Sequence, residues 1–253
     1  MSELPSAPLR QAQNVLYSAL RHCGRIAGAY LHCSHCLGGS VPGRSDLDLL
    51  IVTEASMARA ERIAFADELL PLHGQPCPIE LSVLTRRGLN QSPPLCTFHF
   101  SALWAARYAA HDETHPLLAA DFPDEDIPSY IRLIRQSGIR LYGEEASTLL
   151  PAVSDETFWH ALSDGIEHYD LCAYDAFASN LLTLPRILSF ACTRRILTKV
   201  QGARWGMEQF PQYANLLARA IDAYENRAQH TFSAEELADF RTFFLQQIQI
   251  GLR

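Results

Sequence analysis

Residues 46–53 read Asp-Leu-Asp-Leu-Leu-Ile-Val-Thr, an apolar, β-prone run that opens with two carboxylates. Such a run belongs in a sheet, and residues two apart in a strand share a face, so Asp46 and Asp48 are expected side by side. Two carboxylates held there repel each other and lose hydration unless a cation joins them. A hard divalent ion such as Mg²⁺ suits the pair, because it takes carboxylate oxygens and leaves room for phosphate oxygens. Glu80 stands between Ile79 and Leu81 in the next strand-like run, and a place beside the Asp pair gives that third acid a reason. The ordinary alternative for Asp-x-Asp at a strand edge is a solvated turn. The glycine-rich loop just upstream and the third acid favour the metal reading.

The flanking sequence supplies the rest of a small α/β layer. Residues 8–22 place Leu9, Val15, Leu16 and Leu20 on roughly one side and predict an amphipathic helix; 26–32 predict a strand. Residues 33–45 are rich in turn formers and predict a loop with a short helical turn at its start. A helix is expected over 56–70, a strand over 78–84, and a helix over 127–139 after the acidic stretch 121–126. Beyond Pro151 strand-like alternation stops. Helices are expected at 155–171, 177–197, 201–209, 211–228 and 233–250, the last with Leu237, Phe240, Phe244 and Ile248 at helical spacing. The expected architecture is an α/β domain over 1–150, a small mixed sheet carrying helices, followed by an all-α helical bundle over 151–253.

With 253 residues and 48% hydrophobic composition, the chain is long enough for one large core or two smaller ones. The net charge of −7, with neither half a basic platform, makes nucleic acid an unlikely partner and leaves room for a small cationic one. No apolar run approaches a membrane span, no leader pattern opens the chain, and seven irregularly spaced cysteines suit free thiols in a reducing compartment. A soluble cytoplasmic protein is the expectation. Among the 21 basic residues there is a single lysine, Lys199; base bias in the gene explains that ratio most simply.

At these residues the chain resembles the nucleotidyltransferase superfamily that includes DNA polymerase beta, and more closely the aminoglycoside adenylyltransferases that modify streptomycin and spectinomycin. Tyr30-Leu31-His32-Cys33-Ser34 is similar to the family's strand and Gly-Ser turn, and Gly38-Gly39 with Ser45-Asp46-Leu47-Asp48-Leu49-Leu50 to its loop and Asp pair. Ile79-Glu80-Leu81-Ser82-Val83 matches the third-carboxylate strand. In the helical half, Asn180-Leu181-Leu182-Thr183-Leu184-Pro185-Arg186 and Lys199-Val200-Gln201-Gly202-Ala203-Arg204-Trp205 match two recognisable runs.

The resemblance implies nucleotidyl transfer from ATP. Asp46 and Asp48 would hold Mg²⁺ on the phosphates, with Glu80 near the metal and also acting as general base on the acceptor hydroxyl. Ser34 and Ser45 would hydrogen-bond phosphate oxygens, and Arg186 and Lys199 would contact the triphosphate from the helical half. The site would sit between the two domains, and the resemblance implies a monomer. The lone lysine thereby acquires a place.

Two departures mark this chain. Cys33 stands where the family has glycine, and the loop is one residue longer. Enzymes that accept streptomycin carry a Trp and acids shortly before the Asn-x-x-Leu-Thr-Leu run, where His168, Ala173 and Phe177 fall here. Asp170 and Asp175 lie nearby but offset, and Trp104 is the other candidate for acceptor contact, with core packing as its alternative. Trp205 is read as core.

His32-Cys33-Ser34-His35-Cys36 looks superficially like a zinc cluster, but no second spaced pair follows. There is no Gly-Lys-Ser/Thr loop, no nucleophile elbow and no Gly-x-Gly-x-x-Gly after a strand. The expected function is O-adenylylation of an aminoglycoside or spectinomycin-type acceptor. The alternatives are transfer to another small molecule, a protein or RNA, or a degenerate nucleotide-binding module.

Overall fold

In residues 46–53 and 79–85 apolar side chains alternate between the two faces of a sheet, and that alternation organises the first half of the protein. A computed structural model describes residues 6–112, 114–172 and 176–251. It divides into two compact units, Met1–Ser154 and Asp155–Arg253; the sequence expectation put the break near residue 150.

The first unit runs α1 (Ser6–His22), β1 (Ile26–Leu31), α2 (Ser34–Leu37), β2 (Leu47–Thr53), α3 (Arg59–Leu69), β3 (Ile79–Thr85), β4 (Leu95–Phe100), α4 (Ala102–Ala109), β5 (Phe122–Pro123), α5 (Ile127–Ser137), β6 (Ile139–Gly143) and α6 (Ala146–Leu149). Six strands form one mixed sheet in the order β5-β4-β3-β2-β1-β6. β2 and β3 are parallel and the other neighbours antiparallel. The parallel pair is joined through α3, as a same-direction crossover requires.

Leu47, Leu49, Ile51, Ile79, Leu81, Val83, Phe98 and Phe100 point to one face, where they form a single core with Val15 and Leu16 of α1 and Phe65 and Leu69 of α3. Gln11 ties α1 to the segment before β3: its Nε2 donates to the carbonyls of Leu72 (2.8 Å) and Cys77 (2.7 Å), and its Oε1 accepts from the Cys77 amide (3.2 Å). The opposite face carries the intervening residues Tyr30, Asp48, Leu50, Glu80 and Ser82. Tyr130 of α5 reaches Glu80 on this face, and α6 packs against β1. The β1 contact is close, because a Cβ on Gly28 would stand 2.7 Å from a Leu149 methyl.

The second unit contains α7 (Asp155–Ser163), α8 (Phe177–Thr193), α9 (Lys199–Gln209), α10 (Ala214–Asn226) and α11 (Ala234–Gly251). α8 is central and packs with each of the other four. Leu181, Leu182, Leu184, Leu188 and Phe190 are buried along it, as are Phe240, Phe244 and Ile248 on α11. α9 approaches α8 closely because Gly202 faces the Arg186 backbone; a Cβ at 202 would lie 2.5 Å from the Arg186 Cα.

The structure differs from the sequence expectations in several places. Strands β4 and β6 were not assigned from sequence. The helix expected over 155–171 stops at Ser163, before Gly165 at φ 61°, and the one expected over 177–197 stops at Thr193, where Arg194 turns left-handed (φ 58°). β2 begins at Leu47, so Asp46 precedes the strand rather than opening it.

Candidate active site

The loop between β1 and β2 is shaped by its own hydrogen bonds. The Ser45 Oγ accepts from the Val41 amide (2.8 Å), and the Ser45 and Arg44 amides donate to the Val41 carbonyl (both 3.0 Å). Ser45 is therefore buried as a turn element that keeps a hydroxyl proton to donate. Ser34, half-buried, opens the one-turn α2, and Gly38 closes that turn at φ 71°. Cys33, immediately before it, has φ 56° and ψ −137°, left-handed space that favours glycine.

Past this loop β2 and β3 run in register, with Asp48 opposite Glu80. Neighbouring strands are about 4.8 Å apart, so the two carboxylates share a face at close quarters, a pairing that like charges disfavour. Asp46 adds a third negative charge. Burial raises the Glu80 pKa, and the Asp46 charge raises it further; the Tyr130 hydrogen bond opposes, while Asp126 and Asp124 push upward again. The Tyr130 hydroxyl donates to Glu80 Oε1 at 3.1 Å. Next along the same face, Ser82 Oγ and His99 Nδ1 are 3.0 Å apart.

His32 leads from β1 into the loop, and its amide donates to the Asp48 carbonyl (3.0 Å). Its ring lies 5.0 Å from that of Tyr130, and its Nδ1 is 2.9 Å from the Cys33 sulfur. Burial pushes its pKa down to about 3, so the imidazole is neutral and supplies no charge to an anion. Cys36 donates to the Leu31 carbonyl (3.3 Å), and all seven cysteines are free thiols. Among the described residues, no group of three or more His, Cys, Asp or Glu side chains is arranged to hold a metal ion.

The donor set nonetheless fits a hard cation in its chemistry. Asp46, Asp48 and Glu80 offer only carboxylate oxygens, and burial together with the Asp46 charge raises the Glu80 pKa, a penalty on the charged form that a cation relieves. An octahedral Mg²⁺ takes one or two carboxylates when phosphate oxygens and water fill its other positions, so it needs no closed three-carboxylate cage.

In the second unit both candidate cations sit along the α8–α9 seam. Lys199 is the first residue of α9, after the capping box of Thr198 and Gln201. Its Nζ donates to Ser179 Oγ (2.5 Å) and lies 5.9 Å from the Tyr224 ring centre. A cation at a helix N-terminus opposes the helix dipole, so helix formation does not explain its place. Arg186 is half-buried on α8, with its backbone against Gly202.

The candidate acceptor residues are less coherent. Trp104 packs against the core formed by Leu81 and Phe98, the sheet face opposite Glu80, with its ring 5.0 Å from that of the buried His115. Packing therefore accounts for it. Asp170 is exposed and accepts from the Cys172 amide (2.9 Å), a local turn. Asp175 lies outside the described residues.

Sequence reasoning did not single out Tyr130, or Asp124 and Asp126 beside it. The available signal was a tyrosine flanking the Ile127, Ile131 and Ile134 stripe of an amphipathic helix that follows an acidic loop.

The mixed sheet thus presents Asp48 and Glu80 in register, after a tight serine-bearing loop and Asp46. Residues 148–247 match the family model described as the aminoglycoside adenylyltransferase C-terminal domain. Over most of its length the chain is also similar to curated antibiotic adenylyltransferases. It is 26% identical over 217 residues to a spectinomycin 9-adenylyltransferase of Campylobacter jejuni, covering 79% of each chain. To an aminoglycoside (3'')(9) adenylyltransferase of Klebsiella pneumoniae it is 24% identical over 223 residues, covering 85% of this chain and 84% of that one. Its fold is similar to that of a spectinomycin adenyltransferase from Enterococcus faecialis, solved with ATP and spectinomycin. The TM-score is 0.83 at 19% identity, over 95% of this chain and 99% of that one.

Proposed function

We propose that this chain is a cytoplasmic, monomeric, ATP- and Mg²⁺-dependent adenylyltransferase that transfers AMP to a hydroxyl of an aminoglycoside or spectinomycin-type acceptor. The observation that carries the reading is the Asp48–Glu80 register with Asp46 alongside, a crowded set of carboxylates in which burial and the Asp46 charge raise the Glu80 pKa. The named activities of the relatives from Campylobacter jejuni and Klebsiella pneumoniae support the choice of reaction and acceptor class.

Asp46, Asp48 and Glu80 would hold Mg²⁺, which when bound supplies positive charge to the phosphate oxygens of ATP. Glu80 takes the proton from the acceptor hydroxyl as general base. The acceptor oxygen forms its bond to the α-phosphorus, the bond from that phosphorus to the bridging oxygen of pyrophosphate breaks, and the proton leaves Glu80 for solvent. Ser34 and Ser45 donate hydroxyl protons to phosphate oxygens. Arg186 and Lys199 neutralise the remaining triphosphate charge, which gives a purpose to a lysine set at the unfavourable end of its helix.

A second reading keeps the chemistry and changes the acceptor. It is favoured by Trp104 packing against the core and by Asp170 being used in a turn, since neither then marks an aminoglycoside pocket. Incubation with Mg·ATP and a panel containing spectinomycin and streptomycin, followed by mass spectrometry, decides between them. An AMP adduct on a panel member is expected. ATP binding without any adduct would leave the chemistry and remove the acceptor assignment.

A further inference from the structure

We infer that Tyr130 is a positioning residue for Glu80, fixing the rotation of its carboxylate so that one oxygen is held and the other is presented to the acceptor hydroxyl; this rests on the adenylyltransferase reading above. The last torsion of a glutamate is soft and roughly two-fold, so a carboxylate between apolar neighbours has no preferred orientation of its own. A general base, by contrast, works only when its oxygen is held within hydrogen-bond reach and correct angle of the proton it takes. Ile79 and Leu81, which flank Glu80 in β3, point to the other face of the sheet and cannot orient it. The hydrogen bond recorded on this carboxylate comes from another element: the Tyr130 hydroxyl donates to Oε1 at 3.1 Å.

Tyr130 is itself held at both ends. Its ring lies 5.0 Å from that of His32, a residue only 2% exposed, whose amide is bonded to the Asp48 carbonyl on the neighbouring strand. Its backbone belongs to α5, anchored by the buried Ile127, Ile131 and Ile134 and by the Ser129 hydroxyl, which donates to the Asp126 carbonyl (2.8 Å). The phenol therefore spans from α5 to β3 with its ring fixed against β1's continuation. With Oε1 occupied, Oε2 is the oxygen left to take the proton. Tyr130 touches no reacting atom; it acts through Glu80.

The test is a double-mutant cycle on purified full-length protein, with Tyr130→Phe, Glu80→Gln and the pair. Phenylalanine keeps the ring against His32 and removes only the hydroxyl. Tyr130→Phe is expected to lower kcat for AMP transfer about tenfold while the KM values for ATP and acceptor change less than about twofold, with a thermal midpoint close to that of the parent. In the Glu80→Gln background the same substitution should change the residual rate less than about twofold, because the base it positions is gone. An equal fold-loss in both backgrounds, or an unchanged kcat in the single variant, would overturn the inference. If the parent protein forms no adenylyl product, the functional reading has failed separately, and crystal structures then decide the inference. A single Glu80 carboxylate orientation in the parent and several in Tyr130→Phe would support it, and one orientation in both would refute it.

Discussion

Replacing Cys33 by glycine should stabilise the first unit, because the residue sits at φ 56° and ψ −137° in the turn that leads into α2. A side chain forced into such left-handed space costs about 1–3 kcal/mol. Glycine relieves that strain but gives back about 0.5–1 kcal/mol through the greater freedom of the unfolded chain. The Cys33 sulfur's contact with His32 Nδ1 at 2.9 Å is also lost, and thiols are weak hydrogen-bonding groups. The net expectation is a gain of up to about 2.5 kcal/mol. At about 2–4 °C per kcal/mol for a chain this long, the melting midpoint should rise by up to roughly 10 °C. Differential scanning calorimetry on parent, Cys33→Gly, Cys33→Ser and Cys33→Val reads it directly. Serine keeps the backbone penalty and should melt near the parent, whereas β-branched valine should melt lower. A glycine variant that melts below the parent, or a valine variant that matches it, would refute the strain argument.

Glu80→Gln should reduce kcat about 10²–10⁴-fold, measured by product formation, without lowering the melting midpoint, since a neutral amide removes a like charge from beside Asp46. In the metal-free protein the raised Glu80 pKa has a signed effect on stability. The native state holds that proton more tightly than the unfolded chain, so the Glu80 contribution is fully present below the unfolded carboxylate value of 4.5 and is lost as pH rises through the higher folded value. Denaturant titrations across that window should show the loss in the parent and a reduced slope in Glu80→Gln. Gly202→Ala should destabilise the second unit by about 1–3 kcal/mol in chemical denaturation, because the new Cβ would meet the Arg186 Cα at 2.5 Å and two helix backbones must separate to admit it.

The core strands and their acids were legible because their signal is local. Leu47, Leu49 and Ile51 alternate with Asp48 and Leu50, and the same alternation through Ile79, Leu81 and Val83 sets Glu80 on the face of Asp48. What escaped depended on distant partners. β6 has no buried residue and exists through its pairing with β1, where Tyr30 lies opposite Arg140. β4 follows Pro93 and Pro94 and runs straight into α4 through Ser101, so its Cys96, Phe98 and Phe100 alternation is too short to separate from the helix beyond it. The over-long helix at 177–197 arose because Ile196 and Leu197 continue the apolar pattern past Arg194, which ends the helix by turning left-handed. Tyr130 was visible only as one residue of an amphipathic helix. Its contact with Glu80, fifty positions earlier in the chain, belongs to the tertiary fold.

The central claim is that Asp48 and Glu80, with Asp46, form the working acids of an adenylyltransferase. Acceptor-dependent pyrophosphate release from Mg·ATP, measured for the parent and for Asp48→Asn at matched thermal midpoints, tests it most directly. The account predicts turnover with spectinomycin or streptomycin in the parent and its loss in Asp48→Asn. Undiminished turnover in Asp48→Asn would contradict it.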